Sequence, residues 1–270
     1  MEPPTSETSP PLPVLIPISA DSARGSRVYI GVTTPLLAIA LATYALRMYV
    51  RMKPIWRVGW EDYFITVGVA LMIVDYGFLF PEQFTSPTAI TVATAHWAIR
   101  YAFIAIPIWG AAMATIKTSV AILLLRIPLG RCWAAFCWSM IALQAAYGIG
   151  NTVYLLLQCR PIEANWEPAD LAGRGGCLPV SAMVAASNAG SAVNISTDVL
   201  LSLAPAAVIW RLRAARREKL LTAALMCLGL LAAVSSIVKT VYVRAFAVSP
   251  DPWAVAVRIA TWTMLEQLSR

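Results

Sequence analysis

The most constraining feature of this sequence is a succession of apolar stretches, each about as long as the core of a lipid bilayer is thick. A helix that crosses about 30 Å of hydrocarbon needs about 20 apolar residues, because each residue adds roughly 1.5 Å. Seven stretches reach this length or nearly so: Val28–Val50, Trp60–Phe80, Tyr101–Leu125, Cys132–Leu157, Met183–Trp210, Leu220–Val248 and Trp253–Arg270. The seventh carries Arg258 and Glu266 and reaches only about 27 Å, so we expect a short last helix.

Composition agrees with this pattern and excludes whole classes of protein. Hydrophobic residues make up 59% of the chain and charged residues only 13%, against about 25% charged residues in soluble globular proteins. No segment between the apolar stretches is long enough for a separate soluble catalytic domain, which excludes a Rossmann fold and most water-soluble enzymes. The sequence therefore predicts an all-α membrane protein, a bundle of seven transmembrane helices over residues 28–270.

The first 27 residues differ from the rest of the chain, because six prolines stand there among serines and threonines. A segment of this composition cannot bury a core, so we expect an extended or disordered tail. Glu2 and Glu7 stand where a signal peptide has a basic start. The first helix is therefore expected to act as its own insertion signal.

Positive charge collects in alternate loops and predicts the orientation of the bundle. Lys and Arg in short loops stay on the cytoplasmic side, and the loops after helices one, three and five hold such clusters, which include Arg47 and Arg51, Arg126 and Arg131, and Arg216 and Arg217. We therefore expect the N-terminus outside or in a lumen and the C-terminus in the cytosol, in the plasma membrane or an endomembrane. The formal net charge of +7 reflects this topology and contact with the lipid bilayer, and gives no argument for binding nucleic acid.

This topology sorts the five cysteines into two redox environments. Cys159 and Cys177 fall in the same outside loop, where a disulfide is permitted and contributes about 3 kcal/mol for a loop of this size. The alternative is two unpaired thiols in the lumen. The other three cysteines lie towards the cytoplasmic side and are expected to pack as small apolar side chains. The single histidine, His96, has no Cys or His at ligand spacing, so no metal site is predicted.

Ionisable side chains inside the predicted spans are the most informative residues, because an unpaired charge in hydrocarbon is unfavourable. Five are present: Asp75, Lys117, Asp198, Lys239 and Glu266. Counted along their helices, Lys117 and Asp198 both lie about 23 to 24 Å from the outer surface, so we expect a buried ion pair in the inner half. Asp75 and Lys239 lie about 23 to 29 Å from the cytosol and form a second candidate pair, whereas Glu266 has no partner at its depth.

The residues leave two interpretations of each pair open. The pairs either neutralise charge and lock the packing of the helices, or they line a polar cavity that binds a ligand or passes a proton. The outer half is where a ligand from outside would enter, and aromatic side chains that include Tyr101, Trp109 and Tyr242 share that depth with Asp75 and Lys239. Asp75, Lys239 and these three aromatic residues are therefore the candidate ligand-binding residues.

Five motifs in order along the chain resemble the fungal rhodopsin-domain family of integral membrane proteins. They are RMYVR at 47–51 followed by GWED at 59–62; KTS at 117–119 with Arg126; CRP at 159–161 with Trp166 and GC at 176–177; Asn194 with Asp198, Pro205 and Trp210; and Trp262 with Glu266. The resemblance spans about Val28 to Leu268. It implies a receptor-like seven-helix bundle with its N-terminus outside. Some members resemble fungal surface receptors, and others are encoded in gene clusters for secondary metabolites, including trichothecene mycotoxins such as satratoxins.

Three departures from the family pattern weaken parts of this comparison. Glu61 stands where the family usually has Asp, residues 1–27 contain no cysteine-rich domain, and the chain stops at Arg270, where the family normally continues into a cytosolic tail. The last departure weakens any expectation of coupling to a cytosolic partner through a tail. Retinal is not expected as a cofactor, since microbial rhodopsins carry the Schiff-base lysine on helix seven and no lysine follows Lys239. No other cofactor is predicted.

Three functions follow, in order of preference. The first is a non-enzymatic, receptor-like membrane protein that senses or accommodates a small hydrophobic molecule in the outer half of the bundle, with Lys117 and Asp198 as an inner lock. The second is a membrane-embedded participant in secondary-metabolite (mycotoxin) biosynthesis, either accessory or an isomerase or cyclase in which Asp75 or Glu61 donates a proton from a desolvated pocket. Transport is third, because the sequence shows no repeat halves or broken-helix pairs.

Overall fold

A computed structural model describes residues 15–17, 19–53, 59–79, 89–166, 176–211, 216–246, 249 and 251–269. Seven long helices make up most of this part of the chain: α1 (Ala20–Met52), α2 (Trp60–Leu79), α3 (Val92–Leu125), α4 (Arg131–Leu157), α5 (Val180–Arg211), α6 (Arg216–Phe246) and α7 (Pro252–Leu268). Two short antiparallel strand pairs join them. Strand β1 (Leu15–Pro17) pairs with β2 (Ala89–Thr91), and β3 (Cys159–Arg160), followed by a 3-10 helix (Ile162–Asn165), pairs with β4 (Gly176–Cys177).

The polarity of the described residues is the reverse of that in a water-soluble protein. Apolar side chains face outward: Leu46 exposes 63% of its surface and Ile149 exposes 68%. The largest fully buried side chains include those of Lys117, Asp198 and Glu266. A helix in hydrocarbon satisfies its own backbone and turns apolar side chains to the lipid, so polar groups collect between the helices. The chain is therefore an all-α integral membrane protein.

Five of the described helices, α1, α2, α3, α4 and α6, contain segments long and apolar enough to cross a bilayer. The other two are α5, which carries Asn194 and Asp198 in its interior, and α7, which has only 17 residues. The interior of the bundle explains how these two are accommodated. Their polar side chains face neighbouring helices instead of lipid, since Asn194, Asp198 and Glu266 are all buried.

Packing between the helices brings α3, α5 and α7 to interior positions. Helix α3 contacts α2, α4 and α5; α7 contacts α1, α2 and α6; and α5 contacts α3, α4 and α6. Two glycines allow close approach. A Cβ on Gly68 of α2 would lie 2.7 Å from the Ile116 side chain of α3, and a Cβ on Gly229 of α6 would overlap the side chain of Ser202 on α5. Small residues of this kind let the backbones of transmembrane helices pack tightly.

Three helices begin four or more residues before the predicted start. Helix α1 begins at Ala20 instead of Val28, α3 at Val92 instead of Tyr101, and α6 at Arg216 instead of Leu220. Apolarity indicates where a helix meets lipid, whereas its hydrogen bonds continue past the bilayer until a capping group ends them. Ser19 caps α1 by accepting from the Ser22 backbone N–H at 3.0 Å. Within the expected unstructured tail of residues 1–27, residues 15–17 therefore form β1 and residues 20–27 belong to α1; residues 1–14 and 18 lie outside the described residues.

The start of α1 is joined to the start of α7. Asp251 caps α7 through Oδ1, which accepts from the Ala254 backbone N–H at 3.1 Å, and its Oδ2 accepts from the Ser19 hydroxyl. One carboxylate therefore ends α7 and anchors α1 beside it.

The predicted disulfide is confirmed, since Cys159 and Cys177 are bonded. They are also opposite each other in the β3–β4 pair, which closes the connection between α4 and α5. We call this side of the bundle the disulfide end. The opposite side, where α1 and α3 end and α2 begins, we call the arginine end because it holds Arg47, Arg51 and Arg126. The predicted orientation places the arginine end in the cytosol, and it stays a prediction.

Candidate functional site

In the described part of the chain, two separate clusters of charged side chains lie between the helices. We call the first the intramembrane cluster; it consists of Lys117, Asn194, Thr197, Asp198, Ser236, Lys239 and Glu266. We call the second the arginine-end cluster; it consists of Arg47, Arg51, Glu61, Asp62 and Arg126. A cavity adjoins the first of them.

Lys117 joins α3 to α5 at the centre of the intramembrane cluster. Its Nζ lies 2.6 Å from Asp198 Oδ1 and donates to Asn194 Oδ1 at 2.5 Å and to Thr197 Oγ1 at 3.0 Å. An ammonium group has three protons to donate, so this environment satisfies Lys117 completely. The side chains of Lys117 and Asp198 are both 0% exposed. These are the two residues for which depth along the helices predicts a pair.

Glu266 of α7 is satisfied as fully as Lys117. Its Oε1 accepts from Asn194 Nδ2 and from the Ser236 hydroxyl, the latter at 2.6 Å, and its Oε2 accepts from Lys239 Nζ at 2.6 Å. Asn194 therefore bridges Lys117 on one side and Glu266 on the other. Through these bonds α3, α5, α6 and α7 share one continuous polar network, which low dielectric strengthens.

The predicted ion pair between Asp75 and Lys239 is wrong, because Lys239 forms its ion pair with Glu266. Lys239 also lies over the ring of Trp109, with Nζ 3.8 Å from the ring centroid. Depth along a helix axis does not state which side of the helix a residue occupies, and the long lysine side chain reaches groups at other depths. Glu266, for which depth found no partner, is consequently the acid that neutralises Lys239.

A cavity of about 510 Å³ lies beside Lys239 and Glu266. Residues from α2 to α7 line it, and its walls are mostly apolar. The polar and aromatic side chains in the lining are Asp75, Trp109, Tyr147, Asn151, Tyr154, Gln158, Ser187, Ser191, Asn194, Ser236, Lys239 and Thr263. Because the lining includes Gln158 and Met183, which lie next to β3 and β4 in the chain, the cavity extends from the network towards the disulfide end.

Asp75 is the exceptional residue of this cavity. It is 0% exposed, and neither of its carboxylate oxygens has a hydrogen-bond partner among the described residues. The Gln267 amide lies close enough to act on Asp75 as a hydrogen-bonding neighbour, and the Lys239 ammonium attracts it, but no contact of the Gln267 amide has the geometry of a hydrogen bond within the described residues. Trp109 Nε1 and the Tyr154 hydroxyl also lack partners within the described residues. Three polar groups of the cavity lining therefore have hydrogen-bonding capacity to spare.

The structure brings together only some of the predicted ligand-binding residues. Asp75, Lys239 and Trp109 line the cavity, whereas Tyr101 and Tyr242 do not. Tyr101 stacks on Trp97, with ring centroids 5.8 Å apart. The Arg258 guanidinium lies over the Tyr242 ring, with its central carbon Cζ 5.9 Å from the ring centroid. An aromatic residue at the right depth faces a cavity only if its side of the helix does, which depth alone does not specify.

Helix α4 contributes lining residues that the sequence prediction missed. Tyr147, Asn151 and Tyr154 all line the cavity. Helix α4 has no acidic or basic residue after Arg131 at its start, so the prediction from charged residues within the spans did not include it. The spacing of these three residues along α4 could have indicated the site. Steps of four and three residues place side chains on one face of a helix, and three polar groups on one face of an otherwise apolar helix indicate a polar interior surface.

Glu61, a weak candidate for a proton donor, belongs to the arginine-end cluster and does not line the cavity. Its oxygens contact Arg51 Nη1 and Arg126 Nη2, each at 2.7 Å. Asp62 contacts Arg47 and Arg51, both at 3.1 Å. Because α1, α2 and α3 each contribute charges, this cluster ties the ends of three helices together.

Comparison with known proteins gives one positive result. The family described as "Fungal rhodopsin domain" matches residues 46–269, most of the chain. The search of curated proteins found no match, and neither did the search of solved structures. The family match covers both charged clusters and the whole cavity lining.

Proposed function

The chain belongs to the fungal rhodopsin domain family, and from that premise we propose that it is a receptor-like membrane protein whose cavity binds a small hydrophobic molecule. In the orientation predicted from the loop charges, the cavity opens towards the outside or a lumen. Binding would change the equilibrium between two arrangements of the helices, in association with fungal secondary metabolism. The single observation that carries the proposal is the fully buried Asp75, unpartnered within the described residues, in the lining of a cavity.

The size and walls of the cavity support a small organic ligand. Cavities of about 300 to 1,000 Å³ with apolar walls and a few polar groups are typical of small-molecule sites, and this one has about 510 Å³. Ala105, Ala186 and Ala260 contribute small side chains to its walls. Small residues leave space between helices where larger ones would fill it, so the sequence of the lining keeps the cavity open.

The unsatisfied groups support a ligand with polar atoms. Most buried polar atoms in proteins have a hydrogen-bond partner, and one that has none calls for an explanation. Leaving a buried carboxyl group without a partner is unfavourable by about 1 to 3 kcal/mol. A ligand that reached Asp75, Trp109 Nε1 or the Tyr154 hydroxyl would recover this free energy on binding.

The network beside the cavity provides a route from ligand to helix packing. Lys239 lines the cavity and donates a hydrogen bond to Glu266, which also accepts one from Asn194. Asn194 in turn accepts one from Lys117. A ligand that moves Lys239 therefore acts on contacts between α3, α5, α6 and α7. A ligand shifts a conformational equilibrium only through unequal contacts with the two states, and Lys239 is the group through which such a difference would arise.

The test compares two phenylalanine substitutions on α5. Ser191 lines the cavity, whereas Ser196, five residues on, is exposed and does not. In lipid nanodiscs we expect some members of a panel of apolar amines, alcohols, ketones and acids to raise the unfolding temperature of the native chain and of Ser196→Phe. Ligand at a hundred times its Kd stabilises by about 2.7 kcal/mol. The same compounds should not stabilise Ser191→Phe, in which the ring fills the cavity.

Equal stabilisation of both variants would place binding outside the cavity and contradict the proposal. A panel in which no compound distinguishes the two variants would contradict it as well.

The same carboxyl group supports a second function, a membrane-embedded isomerase or cyclase of secondary-metabolite biosynthesis with Asp75 as proton donor. A general acid needs a desolvated site and space for a substrate beside it, and Asp75 has both. Deletion of the gene and its replacement by Asp75→Asn distinguish the two. A receptor predicts loss of a ligand response with an unchanged metabolite profile, whereas an enzyme predicts accumulation of one defined intermediate.

A further inference from the structure

We propose that the ligand of the cavity is a hydrophobic monocation, an amine that is protonated when bound, whose charged nitrogen pairs with Asp75. This inference rests on the proposed function and narrows it to one chemical class. Four features of the site support it: the balance of charges in the intramembrane region, the hydrogen bonds that saturate Glu266, the lining aromatic rings and the neutralised state of Lys239.

The balance of charges leaves one acid over. Within the described residues, five acidic or basic side chains lie in the interior between the two ends of the bundle: the acids Asp75, Asp198 and Glu266, and the bases Lys117 and Lys239. Lys117 pairs with Asp198 and Lys239 pairs with Glu266. Asp75 is the third acid against two bases, and a charge in a bilayer interior is stable only with a partner or water beside it. Without such a partner the carboxyl group keeps its proton and stays neutral. A ligand with one positive charge would take the place of that proton and make the numbers equal.

The existing partners cannot easily be shared with Asp75. Lys239 Nζ lies 2.6 Å from Glu266 and 3.8 Å from the centroid of the Trp109 ring. The ammonium group therefore already interacts with a carboxylate and with an aromatic ring. Glu266 in turn accepts three hydrogen bonds. Ion pairs with several additional hydrogen bonds are the ones that low dielectric favours. If Lys239 moved to pair with Asp75, Glu266 would lose its ion pair and one of its three hydrogen bonds.

The same geometry argues against an anionic ligand. The positive groups of the region, Lys117 and Lys239, already have carboxylate partners. An anion would have to displace Glu266 from Lys239, and it would enter a cavity that Asp75 also lines. Like charges brought together in low dielectric repel strongly, so a carboxylic acid is the least suitable of the simple polar ligands.

The remaining lining suits the rest of such a molecule. Tyr147 and Tyr154 place aromatic side chains in the same cavity, and the faces of aromatic rings attract cations. The Tyr154 hydroxyl, without a partner among the described residues, can accept a hydrogen bond from an N–H group. Small and aliphatic residues make up the other walls, which fits an apolar body attached to the charged nitrogen.

Three probes with one carbon skeleton test the charge alone: 4-phenylbutylamine, 4-phenylbutan-1-ol and 4-phenylbutanoic acid. Their affinities are measured by the concentration dependence of thermal stabilisation in neutral-lipid nanodiscs, on the native chain, Asp75→Asn, Ser191→Phe and the control Ser196→Phe. We expect the amine to bind the native chain about ten- to a hundredfold more tightly than the alcohol, as for a charged hydrogen bond in a buried site. The acid should bind most weakly.

In Asp75→Asn the amine should lose that advantage while the alcohol keeps its native affinity, which also shows that the variant is folded. Ser191→Phe should bind none of the probes and Ser196→Phe should bind all of them as the native chain does.

Each other outcome is informative about a different claim. If the alcohol binds as tightly as the amine, or the acid binds best, and Ser191→Phe still abolishes binding, the cationic class is wrong while the cavity remains the binding site. If the preference for the amine persists in Asp75→Asn, Asp75 is not the group that recognises the charge. If the probes stabilise Ser191→Phe as much as the native chain, the proposed function itself fails.

Discussion

The intramembrane cluster and the arginine-end cluster contain the same kind of contact but differ in the balance of their charges. Both join three or more helices through ion pairs to fully buried acids. At the arginine end the three bases outnumber the two acids, and the base side chains reach solvent, with 52% exposure for Arg126. In the intramembrane region three acids face two bases, and Lys117 and Asp198 are completely enclosed.

The difference indicates what each cluster is suited to do. At the arginine end surplus charge is taken up by water, so the cluster is complete as it stands and works as a fastening between helix ends. In the intramembrane region the surplus acid, Asp75, is fully buried and lines a cavity. A region with an unpaired buried acid is suited to recognition, whereas one whose surplus charge reaches solvent is suited to holding the structure.

The largest effect is expected from Lys117→Met, which leaves Asp198 buried without its lysine. Removal of one partner of a buried pair is unfavourable by about 3 to 5 kcal/mol, whereas replacing both partners with apolar residues is often neutral. We expect a loss of that size in the free energy of unfolding, measured by denaturation in mixed detergent micelles. The double variant Lys117→Met with Asp198→Leu should recover most of the loss. A single variant as stable as the native chain would show that the two clusters do not differ in how burial affects their pairs.

A smaller effect is expected from Glu61→Gln at the arginine end. Arg126 loses its contact with Glu61, whereas Arg51 keeps Asp62. Their side chains are 52% and 23% exposed, so water can solvate them. We expect a loss of about 1 to 2 kcal/mol in the same unfolding assay. Glu163→Gln, at an exposed position outside both clusters, serves as the control and should change stability by less than about 0.5 kcal/mol. A loss equal to that of Lys117→Met would remove the distinction between the clusters.

Salt should separate the clusters further. The Debye length falls to about 3 Å in 1 M salt. The coupling free energy between the buried Glu61 and the half-exposed Arg126, about 1 kcal/mol at low salt, should therefore decrease. The coupling between Lys117 and Asp198 should not change, because both side chains are enclosed. Double-mutant cycles in low and high salt measure both quantities. Equal salt sensitivity of the two couplings would mean that water reaches the intramembrane pair.

The smallest effect on stability is expected from Asp75→Asn. The carboxyl group makes no hydrogen bond within the described residues, so the nearly isosteric amide loses no such bond and removes a lone acid. We expect a change of at most about 0.5 kcal/mol, in the stabilising direction. Glu266→Gln makes the same change of charge where three hydrogen bonds converge and should lose about 3 kcal/mol. A comparable loss in Asp75→Asn would show that Asp75 has a structural partner.

Much of the architecture could be predicted because the thickness of the hydrocarbon layer fixes the length of apolar segment that a spanning helix needs. The length of apolar segments predicts helices, and all seven predicted segments are helical over most of their length in the described part of the chain. The loop cysteines predict the disulfide for a similar reason, since oxidation depends on the compartment and not on packing. Helix ends were predicted less well, because caps such as Ser19 and Asp251 lie beyond the apolar segment.

The candidate site was predicted only in part. Asp75, Lys239 and Trp109 line the cavity, but Tyr101 and Tyr242 do not, and Tyr147 and Tyr154 were missed. Position along a helix follows from counting residues. The direction in which a residue faces depends also on how the helix is rotated against its neighbours, and close contacts such as Gly229 against Ser202 determine that rotation.

By itself the sequence determined that this protein is a bundle of helices in a membrane, with buried acids and bases that require partners, because the exclusion of lone charges from hydrocarbon acts on every residue separately. Only the tertiary structure decided that Glu266, and not Asp75, holds Lys239. Partner choice is a competition between neighbours brought together from α2, α6 and α7, and its outcome depends on distances of a few ångströms that composition and spacing do not contain. That competition left Asp75 beside a cavity, where we expect its partner to come from outside the chain.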